Sequence, residues 1–299
     1  MADEDDRTKR RAGFVPYGLL APGIIWLFLF FFVPLLTLFR TSLSEKGSAF
    51  DPNDIELTWH WATYTEAISD SSEQFVRSFV YAGAATLLCV LIGFPLAYVI
   101  ANRGGKYKNV LLGLVVVPFF TSFLIRTLAW QTILGDRGPI VGLLDALSLM
   151  GPLEALGIAQ DGRLLATPAA VIGGLTYNFL PFMVLPIYVS LEKIDGRLTE
   201  AAKDLYNNGW QAFRKVVLPL SLPGVFAGSL LTFIPAAGDY INAEFLGSPN
   251  TTMIGTVVQF EFLQAGDTPT AAALSFVLMA IITVGTLIYA KILGTDDLV

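Results

Sequence analysis

Six long apolar segments are the feature that most limits how this chain can fold. The hydrocarbon core of a bilayer is about 30 Å thick, so a helix needs roughly 20 apolar residues to cross it. The six segments of this length lie at residues 19–40, 76–101, 110–134, 166–190, 219–241 and 270–292. Backbone groups in lipid must be hydrogen-bonded internally, and the segments lack the alternation of a membrane barrel. They predict an all-α polytopic membrane protein with six transmembrane helices.

The composition agrees with this class and excludes several others. Of the 299 residues, 54% are hydrophobic and 15% are charged, whereas soluble domains contain about 25% charged residues. The single cysteine, Cys89, cannot form an intrachain disulfide, and the single histidine, His60, cannot build a multi-histidine metal site. The acidic residues lie largely in loops and tails, so the net charge of -6 implies no nucleic-acid partner.

The distribution of Lys and Arg predicts the orientation of the chain in the membrane. Most of the 19 Lys and Arg residues lie before the first segment, between the second and third, and between the fourth and fifth. Cytoplasmic loops carry the excess of Lys and Arg, so both termini and the loop that contains Glu200 are predicted to face the cytoplasm. The first segment is too long for a signal-peptide core and lacks a small-residue cleavage site, so we expect it to be retained as an anchor.

The connections on the opposite side are predicted to carry short helices at the membrane surface. Turn signals flank apolar stretches at residues 140–149 and 254–262, and a further short helix is expected around residues 64–68. The sequence shows no low-complexity tract, no strong internal repeat and no domain boundary. Residues 1–299 are therefore predicted to form a single transmembrane domain.

The loop at residues 192–218 carries the most specific pattern in the chain. Asp195 or Thr199 suits the start of a first helix, and the Asn-Asn-Gly stretch at 207–209 tolerates a left-handed turn before a second helix near Trp210. This pattern predicts a helix–turn–helix bracket between two spans. An ordinary amphipathic loop is the alternative.

The same loop resembles the signature loop of the membrane subunits of ATP-binding-cassette importers. The matching stretch reads EAAKDLYNNGWQAFRKVVLPLSLPG, and in it two alanines leave a low surface that a partner's groove can approach closely. The resemblance implies that the loop docks a cytoplasmic ATPase through Glu200, Ala201, Ala202, Asp204, Leu205, Gly209, Leu218, Pro219 and Pro223. The family pattern has a glycine where this chain has Tyr206, so Gly209 is expected to serve the turn instead.

The resemblance extends over nearly the whole chain and implies the type I importer permease fold, with a coupling-helix loop at 192–218. The motifs RTLAW at 126–130, LGD at 134–136 and LGSP at 246–249 resemble the spermidine/putrescine branch. The resemblance implies a multi-pass protein of the cell membrane that carries a polyamine. The partners that it implies are a cytoplasmic ATPase dimer that binds ATP and Mg, a second permease subunit and an extracytoplasmic substrate-binding protein. A permease for iron, an anion or a sugar is the alternative.

Polar groups inside apolar segments are costly to insert, and they mark a transport path by default. Arg126 and Asp239 both fall in the outer half of their segments, and Asn178 falls near the middle of the fourth. The predicted substrate path comprises Asp239, Tyr240, Asn178, Tyr177, Arg126 and Trp130. The alternatives are that Arg126 and Asp239 neutralise each other or reach the headgroups, and that Asn178 only bonds a neighbouring helix.

The sequence contains no phosphate-binding loop for ATP. Gly105-Lys106 is followed by Tyr107 rather than by Ser or Thr, and no nucleophile–base constellation occurs. We therefore expect no catalytic residue, no metal and no cofactor bound by this chain, with the ATPase activity in a partner. An ion-coupled secondary transporter is the rival class, although such proteins usually show inverted repeats.

Overall fold

The computed structural model describes residues 19–48, 51–206 and 208–292, and most of these residues are helical. The chain divides into two compact units, Met1–Ile68 with Glu261–Val277 and Ser69–Phe260 with Leu278–Val299. The described elements in chain order are α1 (Leu19–Ser42), β1 (Ser44–Ser48), β2 (Asp51–Leu57), α2 (Ala62–Asp70), α3 (Ser72–Arg103), α4 (Lys108–Val116), α5 (Phe123–Leu134), α6 (Pro139–Ala146), α7 (Met150–Ala155), α8 (Pro168–Glu192), α9 (Gly196–Tyr206), α10 (Gly209–Ala237), α11 (Ile241–Leu246), α12 (Ile254–Leu263) and α13 (Thr268–Ile292).

Six spans are present if a bent pair of helices is counted as one, because five described helices are long and apolar enough to cross a membrane. The predicted segments 19–40, 76–101, 166–190 and 270–292 correspond to α1, α3, α8 and α13, with ends shifted by a few residues. The short helices predicted around 64–68, 140–149 and 254–262 correspond to α2, α6 and α12. The all-helical membrane class is confirmed.

Three long helices, α3, α8 and α10, pack against one another in the larger unit. Glycine allows the closest approach: a Cβ on Gly224 of α10 would lie 2.6 Å from the carbonyl oxygen of Pro186 on α8. A Cβ on Gly228, one turn later, would lie 2.8 Å from the Sδ atom of Met183. Membrane helices associate through such close packing because lipid tails are as apolar as leucine side chains.

The third span is broken, and this differs from the continuous helix predicted over 110–134. The helical stretches Gly105–Phe120 and Phe123–Ala146 meet at 95°. A 3-10 turn at Val117–Phe120 has Pro118 near its start, and Thr121 follows with extended backbone. Proline removes a backbone donor and crowds the preceding turn, so Pro118 favours an interruption of the helix at this point. The expectation that Arg126 lies in the outer half of the membrane assumed a straight third helix, so it does not carry over to the broken span.

The fifth span begins earlier than predicted, because α10 is continuous from Gly209. Pro219, the first residue of the predicted fifth segment, is therefore not the start of this helix. Instead, a π-helical segment at Phe213–Val217 lies immediately before it. The wider π-helical turn accommodates the proline, which has no backbone N–H and whose ring crowds the carbonyl oxygen four residues earlier. The first span repeats this arrangement, with a π-helical segment at Phe28–Phe32 shortly before Pro34.

The fifth span also ends before residue 241, because α10 stops at Ala237 and a short junction leads into α11. The start of α12 packs directly on this junction. A Cβ on Gly255 would lie 2.5 Å from the carbonyl oxygen of Gly238, so glycine is required there for the backbones to meet. The Ile254 N–H donates a hydrogen bond to Ser78 Oγ of α3 at 2.7 Å.

The smaller unit contains a β-hairpin that the sequence did not predict. Strands β1 and β2 pair antiparallel, with Ser44 opposite Leu57. The Ser42 Oγ and Tyr64 Oη atoms lie 2.6 Å apart, which ties the end of α1 to α2. Among the residues that the structure describes, none in the most apolar window of α1 is buried. Its apolar surface thus remains available to lipid or to a partner.

Candidate functional site

Two short helical arms at residues 196–212 form a bracket, which consists of α9 and the first turn of α10. The Arg197 N–H donates to the Asp195 carboxylate at 2.9 Å, so Asp195 supports the start of α9. The Trp210 N–H donates to the side-chain oxygen of Asn208 at 2.9 Å and caps the second arm. Asn207 lies outside the described residues. The two predicted short helices are confirmed, whereas the predicted turn between them includes Asn207 and stays a prediction.

Four of the nine residues predicted to dock an ATPase lie exposed on α9, whereas Gly209, Leu218, Pro219 and Pro223 belong to α10. Glu200, Ala201 and Asp204 are exposed, and Leu205 is 75% exposed. Ala202 differs, because it is only 5% exposed. It packs within the chain and does not provide the open, low surface that was expected at that position.

Two further exposed side chains, which sequence reasoning missed, extend the apolar surface of the bracket. Leu198 is 51% exposed and Trp210 is 66% exposed. Leu198, Ala201 and Leu205 follow one another at spacings of three and four residues, so they share one face of α9. This spacing is visible in the sequence, but the face that packs against the rest of the chain is not.

Aromatic contacts connect the bracket to the long helices. The ring of Phe213 lies 5.5 Å from that of Trp210, and it also contacts Phe94 and Tyr98 of α3, with centroids 5.8 Å and 5.3 Å away. Leu218 follows in the same continuous helix. A displacement of the bracket therefore reaches α10 directly and α3 through packed rings.

Tyr206, at the position of the family's glycine, joins the two arms of the bracket. The Nζ atom of Lys215 lies 4.5 Å over its ring, within the range of a cation–π contact. Gly209 does not serve as a left-handed turn residue, because its φ lies outside that region and a Cβ built there would meet open space. Where the family has a flexible glycine, this chain therefore has an aromatic side chain that contacts Lys215.

A buried polar cluster joins α5, α8 and α11. Asn178 Nδ2 donates to Asn242 Oδ1 at 3.0 Å and to Thr127 Oγ1 at 3.4 Å. The Asp239 carboxylate accepts the Asn242 N–H at 2.7 Å at the start of α11. All four residues are at most 8% exposed. Asn178 therefore bonds neighbouring helices, and the cluster includes Thr127 and Asn242, which sequence reasoning missed.

Two of the three guanidinium nitrogens of Arg126 are buried without a described acceptor. The residue is 8% exposed, and its Nε and Nη1 atoms have no hydrogen-bond partner among the described residues. Its Cζ atom lies 5.2 Å from the ring centroid of Phe119 and 5.5 Å from that of Phe123. In the part of the chain that the structure describes, Arg126 and Asp239 form no ion pair. They do not neutralise each other.

Two of the three aromatic side chains predicted for the path, Trp130 and Tyr177, are in contact in the larger unit. The rings of Trp130 and Tyr177 meet edge to face with centroids 5.4 Å apart. Tyr177 is 36% exposed, and Tyr240, which follows Asp239 in the junction rather than in a helix, is 43% exposed. These rings combine an apolar body with an accessible face, which suits a flexible cation with a hydrocarbon backbone.

Helices α8 and α10 line a cavity of about 760 Å³ that opens beside the bracket. Its walls are mostly apolar and include Phe182 and Pro223. Lys193, Asp195 and Leu198 lie at the end where α8 leads into α9. The cavity therefore reaches from the spans to the bracket.

The family of the chain follows from comparison with known proteins. Residues 89–293 match the family described as binding-protein-dependent transport system inner membrane component. This chain belongs to that family. It is accordingly a multi-pass component of the inner membrane, and the bracket lies within the matched region.

The relatives of this chain include named transport permeases. It is 39% identical to the spermidine/putrescine transport system permease protein PotB of Haemophilus influenzae, over 86% of this chain and 87% of the relative. It is 35% identical to PotB of Escherichia coli K12, over 88% of this chain and 92% of the relative. The inner membrane ABC transporter permease protein YdcU of Escherichia coli K12 is 34% identical, over 74% and 72%.

Two solved structures of ABC transporters share the fold. One is a bacterial ABC transporter involved in the import of the acidic polysaccharide alginate, with a TM-score of 0.65 and 18% identity over 95% of this chain and 96% of that chain. The other is a bacterial alginate ABC transporter in complex with an alginate pentasaccharide-bound periplasmic protein, with a TM-score of 0.65 and 20% identity over 97% of both chains. The predicted importer permease fold is confirmed.

Proposed function

We propose that this chain is the membrane permease subunit of an ATP-driven polyamine importer. The observation that carries the proposal is its identity of 39% and 35% to two spermidine/putrescine permeases over nearly the whole length of each. Spermidine or putrescine is therefore the substrate class that we assign. The chain forms the path across the membrane and does not catalyse the reaction that drives transport.

The energy comes from a separate ATPase dimer that holds ATP and Mg. The sequence has no phosphate-binding loop of its own, which supports an external source of hydrolysis. The bracket is the docking element: Leu198, Ala201 and Leu205 offer an apolar strip. Glu200 and Asp204 lie exposed on the same short helix and suit a basic or amide-rich groove wall.

The bracket converts closure of the ATPase dimer into movement of the spans. Its second arm continues without interruption into α10, so α10 follows any rotation of the docked arm. The packed ring of Phe213 couples the same movement to α3 through Phe94 and Tyr98. Such movement switches access to the path from one side of the membrane to the other, with the ATPases supplying the difference in free energy.

Both termini and the bracket face the cytoplasm. The excess of Lys and Arg in the loops on this side supports the assignment. The opposite face receives an extracytoplasmic binding protein that delivers the polyamine. A second permease subunit of similar fold completes the path, which the family resemblance of the chain supports.

Aromatic faces and one carboxylate provide the attraction for the substrate. Trp130, Tyr177 and Tyr240 present rings to which ammonium groups bind by cation–π contact, at about 0.5 to 2 kcal/mol each. The Asp239 carboxylate lies beside Tyr240 and adds negative charge at the same junction. Asn178 and Arg126 surround the path and do not attract the substrate. Asn178 hydrogen-bonds neighbouring elements. Arg126 carries a positive charge, which repels an ammonium group.

Uptake by reconstituted complexes tests the proposal. The chain is purified with its co-expressed ATPase, partner permease and binding protein, and radiolabelled spermidine is added to the proteoliposomes with ATP on the ATPase side. We expect uptake that requires ATP and is competed by unlabelled putrescine. An ATPase variant unable to hydrolyse ATP serves as the control.

Two results would overturn the proposal. The first is spermidine uptake that persists without the ATPase and follows a proton or sodium gradient, which would indicate a secondary transporter. The second is ATP-dependent uptake of an iron complex, an anion or a sugar with no transport of spermidine or putrescine, which would indicate a permease for another solute.

A further inference from the structure

Three spans of the larger unit enclose a crevice of about 470 Å³. They are α3, α10 and the part of α13 that follows Val277. The described residues that line this α3–α10–α13 crevice are apolar, glycine or hydroxyl-bearing, and none of them carries a charge. The crevice is separate from the cavity beside the bracket, because the two share no lining residue.

The crevice is a gap in the packing of α13 against the other two helices. Before the gap, Ile282 packs against the buried core. After it, the ring of Tyr289 meets that of Phe226 on α10 edge to face, with centroids 6.0 Å apart at 88°. Gly285 and Thr286 line the crevice and lie between these two contacts in the chain. The gap is therefore bounded by contacts along α13 and is not a frayed helix end.

Two glycines keep the crevice open. Gly83 of α3 and Gly285 of α13 both line it, and a Cβ built on either would meet no described neighbouring atom within 4 Å. Glycine weakens a helix relative to alanine, and in membrane spans it commonly permits close contact between helices, as it does here at Gly224. Gly83 and Gly285 permit no such contact among the described residues. What they provide is space.

The hydroxyl groups on the walls leave the crevice apolar in effect. Thr86 Oγ1 donates to the carbonyl oxygen of Ala82 at 2.7 Å. Ser229 Oγ donates to the carbonyl oxygen of Val225 at 2.8 Å. Both donors are thus bonded within their own helices. A charged molecule such as a polyamine would lose its hydration here without gaining a counterion, so the walls suit an apolar occupant.

Size and surroundings select the kind of apolar occupant. Leu87, on the wall of the crevice, is 60% exposed, so the crevice opens to the outer surface of the spans. In a membrane, lipids and other spans meet that surface. One turn of an α-helix with its side chains occupies about 400 to 600 Å³, so the crevice is too small for another span. A lipid acyl chain is a single file of methylene groups and fits.

We propose that the α3–α10–α13 crevice binds one acyl chain of a membrane phospholipid, and that Gly83 and Gly285 keep the room for it. The proposal does not depend on which solute the protein carries. Protein interiors are packed as closely as organic crystals, and the acyl chain restores that density where α13 leaves a gap. Because the chain is flexible, it fills the gap without joining the three helices rigidly.

Photolabelling in the cell membrane tests the site with the partner subunits present. Cells that co-express the full chain with its partners are fed a palmitic acid analogue with a diazirine midway along the chain, which they build into phospholipids. After illumination, labelled residues are mapped by mass spectrometry. We expect label at Ser229 and Thr286. Gly285→Leu fills the crevice and should lower the labelling of Ser229 by about fivefold or more, because no room for the acyl chain remains.

Two controls separate the crevice from general contact with lipid. Leu91 of α3 is 60% exposed and lies outside the crevice, so its labelling should not change in Gly285→Leu. Gly113→Leu makes the same substitution on α4, where a Cβ also meets no described neighbouring atom, and should leave the labelling of Ser229 unchanged. Equal labelling of Ser229 in the wild type and Gly285→Leu would overturn the site. Labelling of Ser229 only when the partners are omitted would also overturn it, because another subunit would then cover the crevice.

Thermal unfolding in detergent gives a second measurement and uses the opposite wall. Added dioleoylphosphatidylethanolamine binds the folded state and should raise the unfolding midpoint of the wild type by a few degrees. Gly83→Leu, which fills the crevice from α3, should respond less than half as strongly, and Gly113→Leu should respond like the wild type. Equal responses of the wild type and Gly83→Leu would contradict the proposal.

Discussion

At the scale of single residues, glycines set the distance between the two helices that line the cavity. The backbone of α10 approaches α8 at Gly224, where a Cβ would meet the Pro186 carbonyl oxygen at 2.6 Å and Ser190 Oγ at 2.5 Å. Gly173 of α8 has open space instead, because a Cβ at that position would meet no described neighbouring atom within 4 Å. The same substitution is therefore expected to have opposite effects at these two positions.

Gly224→Ala is expected to lower the stability of the protein in detergent by about 1 to 3 kcal/mol, because the added methyl group forces the two backbones apart. The measurement is the midpoint of thermal unfolding. Gly173→Ala is the matched control and should leave the midpoint unchanged or raise it slightly, since alanine favours helix. A Gly224→Ala midpoint equal to that of the wild type would show that the two helices are not in close contact at this glycine.

The buried amides of Asn178 and Asn242 are expected to depend on each other. Replacing either by Ala leaves the other without its 3.0 Å partner, at a cost of about 1 to 3 kcal/mol. The double variant should lose less than the sum of the singles, with a coupling of at least about 0.5 kcal/mol. Asn102→Ala, at an exposed residue, is the control. Additive losses in unfolding midpoints would contradict the direct bond.

The sequence identifies which residue types are unusual but not what they contact. Asn178 is conspicuous in an apolar span, yet only the structure shows that its partners are Thr127 and Asn242. Ala202 has the same residue type as Ala201, and its burial depends on which face of α9 meets the rest of the chain. Both facts depend on tertiary packing, which a local pattern does not encode.

At the scale of elements, the bracket is the part of the molecule that was most predictable. The Asp195 start and the two short helices follow from local residue types, so local rules suffice for them, whereas Gly209 does not form the left-handed turn that was expected. The break of the third span was less predictable. Pro118 signals an interruption of the helix, but a single proline does not specify the 95° angle between the two stretches. The β-hairpin of the smaller unit carries no alternating pattern and gave no signal.

The exposed leucine of the bracket is expected to contribute directly to binding of the ATPase. Leu205→Glu places a charge in the apolar strip and should reduce co-purification of the ATPase by about tenfold or more, because a buried unpaired charge in an interface costs several kcal/mol. Leu156→Glu is the matched control, because Leu156 is 73% exposed and Leu205 is 75% exposed. Equal recovery of the ATPase with both variants would indicate that the strip lies outside the interface.

Glu200→Lys tests the charge of the bracket separately from its apolar strip. Reversal of the sign should weaken ATPase association and lower ATP-driven uptake in parallel, most clearly at low ionic strength, where screening is weak. Asp145→Lys makes the same change at an exposed residue of α6. Loss of association with Asp145→Lys but not with Glu200→Lys would place the docking surface elsewhere.

At the scale of the whole molecule, the proposed function divides the work between this chain and a partner. In that proposal the chain forms the path and carries the docking bracket, and a separate ATPase hydrolyses ATP. Hydropathy, charge distribution and one loop motif lead to this proposal from the sequence alone, because each depends on the membrane or on local sequence rather than on fine packing. The membership of the family agrees with it.

Chemical labelling of the bracket is the most direct test of this division of roles. The one cysteine of the chain, Cys89, is buried. In a Cys89→Ala background, Leu205→Cys is treated with a membrane-impermeant maleimide in right-side-out and inside-out vesicles, with and without the ATPase. We predict that Cys introduced at this position reacts only in inside-out vesicles and is protected when the ATPase is bound. Reaction in right-side-out vesicles, or equal reaction with and without the ATPase, would contradict a cytoplasmic docking role for the bracket.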